Sequence, residues 1–268
     1  MNSKKARITT SSIDLRLSGW NPAPVTVDVR QKLQNGLALF DFDGTLVPWD
    51  TQMLFADFVL RREPVRRLYL PLFATFAPLY GILGDEGLKR VFLSYLWLAE
   101  SSQIETWARE FVEERLLPMC YPELLEKLEQ HKSAGHLTVL ASASPEFYIT
   151  EVGTALGFDI SFGTQVEYGS RMPLFPYLVN HKGNQKVLRL YQFLGQPEDG
   201  VWKKSHGYTD STADLPMMAC CENGTIVNPS SHLSTLGAEK GWDIIRPPVP
   251  WKDGCDKLRK TIRFASGI

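Results

Sequence analysis

The chain has 268 residues, 44% hydrophobic and 22% charged, an ordinary globular composition long enough for one core domain plus an insertion. Lysine and arginine number 29 and aspartate and glutamate 30, so bulk electrostatics give no support for a nucleic-acid partner. Cys120, Cys220, Cys221 and Cys255 show no C-x-x-C spacing, which fits a reducing, cytoplasmic compartment.

Residues 1–35 are rich in Ser, Thr, Pro and charge and lack the apolar centre of a secretory signal, so a loosely ordered arm is expected there. Leu37-Ala38-Leu39-Phe40 then reads as a buried strand running into Asp41-Phe42-Asp43-Gly44-Thr45. Strand side chains alternate faces, so Asp41 and Asp43 are expected to point the same way. Two carboxylates that close repel, and one holds a proton unless a cation lies between them, which suits a metal-assisted site. Gly44 permits a tight turn, and Thr45 offers a hydroxyl and an amide to an anion.

Asp50-Thr51 suits a helix N-cap, and helical apolar spacing then continues through residues 51–118. Ser102 to Glu105 has the capping-box form. Leu68 to Gly84 carries no charge and contains Pro71 and Pro78, which disfavours a simple transmembrane span. Two readings stay open for it. One is a buried helix pair packing against Phe92, Leu96 and Phe111. The other is an apolar face of Tyr69, Leu72, Phe73, Phe76, Leu79 and Tyr80 that rests on a bilayer, with Arg61, Arg62, Arg66 and Arg67 at anionic headgroups.

Leu137 to Ala141 is a second buried strand, ending at Ser142 before a helix that Ser144 is placed to cap. Residues 160–167 and 174–179 read as paired strands, and Lys186 to Phe193 as a helix. Val201 to Tyr208 is a third strand, more polar than a central parallel strand should be, leading to Asp210-Ser211 and Asp214. A basic surface tail closes the chain. The alternation predicts an α/β fold, a Rossmann-like parallel sheet at residues 36–50 and 119–268 with a helical cap at 51–118 and sites at the strands' carboxyl ends.

Asp41-x-Asp43-Gly44-Thr45, Ser142 after an apolar strand, a lysine opening a helix, and Asp210-Ser211-x-x-Asp214 resemble, in that order, the four motifs of the haloacid dehalogenase-like superfamily of phosphohydrolases. The helical insertion resembles the cap of its phosphoserine-phosphatase-like branch. Asp50, Leu60 to Pro64 and Gly207 to Ser211 look most like bacterial phosphatidylglycerophosphatase C and its relatives.

The resemblance implies a Mg²⁺-dependent phosphomonoester hydrolase. Asp41 would be the nucleophile and Asp43 the acid and base, with Mg²⁺ on Asp41, the Asp43 main-chain carbonyl and Asp210. Gly44, Thr45, Ser142 and a lysine would hold the phosphate, Asp214 and Ser211 would support them, and Asp50, Arg61 and Arg62 would bear on specificity. Lys182 and Lys186 compete for the lysine. Lys186 is favoured, because it stands in the first turn of its helix, 24 residues before Asp210. The substrate is expected to be a lipid phosphate such as phosphatidylglycerophosphate, with peripheral membrane contact through residues 61–84 on the inner face. The alternatives are a soluble phosphoserine- or histidinol-phosphate-like metabolite, or phosphotransfer to an organic acceptor.

Overall fold

The computed structural model describes residues 27–267, so the part of the expected arm before residue 27 lies outside the described residues. Its last residues are not loose. Val27–Asn35 form α1, which lays Val29 and Leu33, four apart, on the apolar layer under the sheet.

Strand β1 is Leu37–Phe40, all four residues buried. The helices α2 (Thr51–Arg62), α3 (Tyr69–Phe76), α4 (Tyr80–Phe92) and α5 (Ser101–Phe111) come next. There follow α6 (Pro122–Ser133), β2 (Leu137–Pro145), α7 (Glu146–Leu156), β3 (Ile160–Glu167), β4 (Tyr177–Val179) and α8 (Asn184–Leu194). The chain closes with β5 (Trp202–Thr209), α9 (Leu215–Met218), β6 (Cys221–Val227), α10 (Ser231–Lys240), β7 (Asp243–Ile245) and α11 (Gly254–Ser266).

The strands form one seven-stranded sheet in the order β4-β3-β2-β1-β5-β6-β7, parallel except for the antiparallel pair β3 and β4. Strand β1 is central, with Leu37 opposite both Leu137 of β2 and Ser205 of β5. Its pleat divides the interior. Ala38 and Phe40 face one apolar layer, Leu37 and Leu39 the other.

The polar β5 is central because its neighbours satisfy its polar groups. Ser205 Oγ accepts from the Glu222 amide at 2.8 Å, His206 Nε2 meets Thr225 Oγ1 at 2.7 Å, and Tyr208 stacks on Phe40 with centroids 4.2 Å apart.

Several local expectations are corrected. The capping box at Ser102 is not formed: α5 begins at Ser101 after Glu100, and the Ser102 carbonyl accepts from Thr106 Oγ1. The residue before α7 is Pro145, not Ser144. The basic tail lies on the surface as expected and is helical: α11 packs on α2, Phe264 meets the Trp49 ring, and Ala265 O accepts from Tyr69 Oη.

The segment from Leu68 to Gly84 is not the buried pair either. Tyr69 alone is buried there, while Leu68 is 76% and Ile82 85% exposed. The helical run Pro64–Leu96 is long and apolar enough to cross a membrane by length and composition. It is broken by 3₁₀ turns at Pro64–Leu68 and Ala77–Leu79 and by Gly84, whose φ of 65° lies in the left-handed region.

Candidate active site

The carboxyl ends of β1, β2 and β5 converge on one point, where an open parallel sheet offers its crevice. Asp41 follows β1 directly, its amide donating to Tyr208 O at 3.0 Å, and its carboxylate sits on the crevice floor. Lys186 Nζ, on the first turn of α8, donates to Asp41 Oδ1 at 2.6 Å and lies 2.8 Å from Asp214 Oδ1. Thr45 Oγ1 donates to Asp41 Oδ2 at 3.3 Å, and Thr209 Oγ1 to Asp214 Oδ2 at 3.0 Å. Ser211 Oγ accepts from the Ala213 amide and shapes the turn that carries Asp214.

Asp43 is held from three sides. Ser142 Oγ and Ser144 Oγ donate to its Oδ2 at 3.1 and 2.7 Å, and the Thr51 amide donates to its Oδ1 at 2.6 Å. Thr51 Oγ1 continues the network to Ser144 Oγ and Tyr148 Oη. Gly44 has φ 79°, and a Cβ there would lie 2.1 Å from Asp210 Oδ2, so only glycine lets the Asp210 carboxylate close over this turn.

Above the floor is a cavity of about 420 Å³. Asp41, Asp43, Ser144, Lys186, Asp210 and Asp214 line its base, and Asp50, Phe73, Tyr80, Asp85, Lys89 and Phe92 line its cap side. Asp50 Oδ1 caps α2 by accepting from the Gln52 and Met53 amides. Lys182 lies at the rim, paired with Asp85 at 2.7 Å, so it is Lys186 that reaches the floor.

Thr45, Ser142 and Gly44 are not among the lining residues; the first two reach the cavity only through the carboxylates they bond. Arg61 and Arg62 do not line it at all. Arg61 pairs with buried Asp57, and Arg62 with Glu110 and Glu114. Helical phase turns both away, so their expected place in specificity is corrected.

A family model described as haloacid dehalogenase-like hydrolase matches residues 38–219. The chain belongs to this family. A histidinol-phosphatase of Neisseria meningitidis serogroup C (strain 8013) is 28% identical over 221 residues, covering 78% of this chain and 97% of its own. A Bordetella pertussis Tohama I protein of unknown function has a crystal structure with a TM-score of 0.66 at 26% identity, covering 78% of this chain and 97% of its own. A probable phosphoserine phosphatase of Vibrio cholerae shares the fold, with a TM-score of 0.59 at 19% identity over 89% of this chain and 67% of its own. The likeness to phosphatidylglycerophosphatase C rests on the short sequence motifs alone.

In this haloacid dehalogenase-like hydrolase the floor carries more acid than base. Asp41, Asp43, Asp210 and Asp214 face Lys186 as the lone cation among the base-lining residues described. Burial would depress Lys186, but Asp41 and Asp214 more than offset this and hold its pKa above the usual lysine value. Burial pushes Asp41 well above the usual carboxylate range, Lys186 opposes, and Asp214 and Asp210 add to the rise. Burial, with Asp214 and Asp43 beside it, pushes Asp210 up to about 7.

Such a cluster has room for further positive charge. No group of three or more His, Cys, Asp or Glu side chains among the described residues is arranged to hold a metal. Asp41, Asp210 and a main-chain oxygen nevertheless fit the all-oxygen, partly hydrated set that Mg²⁺ takes, one or two carboxylates with water and phosphate completing it.

Ser144, Thr51 and Lys89 had no place in the sequence reading of the site. Ser144 carried a signal, the i, i+2 spacing from Ser142, but an N-cap explained it equally well. Thr51 reaches Asp43 through its amide and Ser144 through its hydroxyl, and Lys89 arrives from α4, so neither is visible before the chain folds.

Proposed function

We propose that this haloacid dehalogenase-type phosphatase is a Mg²⁺-dependent phosphomonoester hydrolase working through an aspartyl-phosphate on Asp41. Its substrate is a small, soluble ester with an amine on the leaving group, of the kind histidinol phosphate represents. The observation that carries the reading is the buried Asp41 carboxylate on the cavity floor, 2.6 Å from Lys186 and beside the separately held Asp43.

Unaided hydrolysis of such esters is slow enough that enhancements on the order of 10²¹ are needed. A carboxylate nucleophile divides the work into two easier steps. An Asp41 oxygen attacks phosphorus and the ester P–O bond breaks, with Asp43 delivering its proton to the leaving oxygen. Water then attacks phosphorus, loses a proton to Asp43, and frees Asp41 and inorganic phosphate.

Lys186 offsets charge on the non-bridging oxygens, while the Thr45 and Ser142 hydroxyls hold the Asp41 and Asp43 carboxylates in place. Asp214 and Ser211 keep Lys186 and the Asp210 turn in place. Mg²⁺, held by Asp41, the Asp43 carbonyl and Asp210, would supply neutralisation of phosphoryl charge.

The amine rests on Asp50 at the cap side of the cavity. Asp50 spends Oδ1 on the α2 amides, and no partner of its Oδ2 is seen among the described residues. Phe73, Tyr80 and Phe92 give that side an apolar lining for the rest of the leaving group. The relative named histidinol-phosphatase agrees with this choice.

A second reading, a lipid phosphate at a membrane, is favoured by one observation: Leu68, Leu79, Tyr80 and Ile82 are exposed on the cap. Its electrostatic half is weakened. Arg61, Arg62 and Arg66 pair with Asp57, Glu114 and Glu63, and Arg67 donates to Gly267 O.

Phosphate release from histidinol phosphate, phosphoserine, glycerophosphate and detergent-dispersed phosphatidylglycerophosphate, with and without Mg²⁺ and alcohol acceptors, tests both. Highest kcat/KM on the amine-bearing esters supports the first reading. Preference for the lipid, together with pelleting on anionic vesicles, overturns it for the second, and transfer to added alcohols would make the enzyme a phosphotransferase.

A further inference from the structure

Lys89 belongs to the cap yet ends in the core. From α4 its Nζ donates to Ala143 O at 2.7 Å and to Asn180 Oδ1 at 2.8 Å, with Thr164 Oγ1 at 3.5 Å. Ala143 lies between Ser142 and Ser144, the two residues whose hydroxyls hold Asp43 Oδ2.

The ladder between β2 and β3 shifts register between Ala141 and Pro145, so Ala143 O lies in the break, and Lys89 and Thr164 take it. The segment carrying Lys89 is bracketed by two left-handed residues, Gly84 at φ 65° and Leu98 at φ 61°. It meets the core again through Asp85 on Lys182 at 2.7 Å and Arg90 on Pro176 O at 2.9 Å.

We infer that Lys89 is a positioning residue: by clamping the Ala143 carbonyl from the closed cap, it sets the two serine hydroxyls that orient Asp43 for proton transfer to the leaving group. The inference rests on the phosphatase reading and on Asp43 as its acid. A cap that is not seated then leaves the acid unaligned, and proton transfer is coupled to closure over substrate. Holding catalytic groups in a reactive geometry is worth large factors, with small misplacements costing on the order of 10²-fold.

The test compares kcat/KM on an alkyl phosphate, whose leaving oxygen needs a proton, with para-nitrophenyl phosphate, whose leaving phenolate needs little. Lys89→Met is expected to lower the alkyl value by about ten- to a hundredfold and the aryl value by less than about threefold, within the range that general-acid catalysis supplies. In an Asp43→Asn background, Lys89→Met is expected to add less than about a further twofold, since residues acting through one group are not additive. Lys89→Gln, which keeps a neutral donor, serves if the methionine variant does not fold, with the same pattern at smaller size.

Equal losses on both substrates, or a full additional loss in the Asp43→Asn background, would overturn the inference and make Lys89 a substrate contact or a simple cap anchor. Failure of the parent reading looks different. In that case Asp43→Asn itself shows no dependence on leaving group, or Asp41→Asn remains active.

Discussion

Lys186 Nζ stands 2.6 Å from Asp41 Oδ1 with both side chains buried, so the floor of the crevice is an ion pair that neither partner can leave for water. Removing one partner strands the other. Lys186→Met, without added Mg²⁺, should lower stability by about 3–5 kcal/mol in urea unfolding at neutral pH, because it leaves Asp41 and Asp214 buried without their cation. It should also abolish turnover. Lys182→Ala killing activity while Lys186→Ala spares it would transfer the role to Lys182, which the structure keeps at the rim with Asp85.

Asp41→Asn keeps the shape of the side chain and removes the proposed nucleophile. Turnover should fall below about a hundredth of wild type, judged against the roughly 10² to 10⁴ that a positioned acid or base contributes. Far-UV circular dichroism should be unchanged. A variant that stays faster than that limit takes the covalent role away from Asp41.

Asp210→Asn exchanges a proposed charged hard ligand for a neutral one and should move the Mg²⁺ activation curve to higher concentration more than it lowers the saturated rate. A curve that stays in place would remove Asp210 from the metal set.

Gly44→Ala should be worse than its size suggests. The added Cβ meets Asp210 Oδ2 at 2.1 Å on a backbone at φ 79°. Strain of about 1–3 kcal/mol is expected, together with loss of activity, and thermal unfolding of the variant beside wild type measures the first. An alanine variant with wild-type melting and rate would show that the Asp210 turn can move aside.

His131, His136, His206 and Tyr208 form a cluster away from the cavity, with His131 Nε2 2.9 Å from Tyr208 Oη and His131 Nδ1 2.9 Å from His136 Nδ1. Burial, then His206 and His136, push His131 down to about 4, and burial does the same to His206. The folded values lie below the unfolded ones, so the unfolded state binds more protons. Their stabilisation is complete above about pH 6.5 and is lost as pH falls toward about 4. Asp210, raised to about 7, works in the opposite sense, so wild type must be compared with His131→Gln. The variant should lose less stability than wild type between pH 7 and pH 4.5 in urea titrations, and parallel curves would show that His131 binds protons equally in the folded and unfolded states.

The sequence by itself determined the fold class and the chemistry available at the crevice. The apolar β1 run breaking at Asp41-x-Asp43-Gly44, the hydroxyl after β2 and the carboxylates after β5 are local patterns. In a parallel sheet they can converge only at the strands' carboxyl ends. Even the polar β5 was recognisable as a strand, though the partners that satisfy it, Glu222 and Thr225, lie on the next one.

What tertiary structure alone decided depends on the phase and reach of side chains between distant segments. Lys186 was already favoured over Lys182 by its place in the first turn of α8, but its contacts with Asp41 and Asp214 exist only in the folded chain. Ser144 holds Asp43 instead of capping α7 because the ladder beside it breaks. Arg61 and Arg62 are taken by Asp57 of α2 and by Glu110 and Glu114 farther along the chain. The exposure of residues 68–84 was illegible for a related reason: a helix apolar on every side has no periodicity to say which face is covered, so only its neighbours can decide.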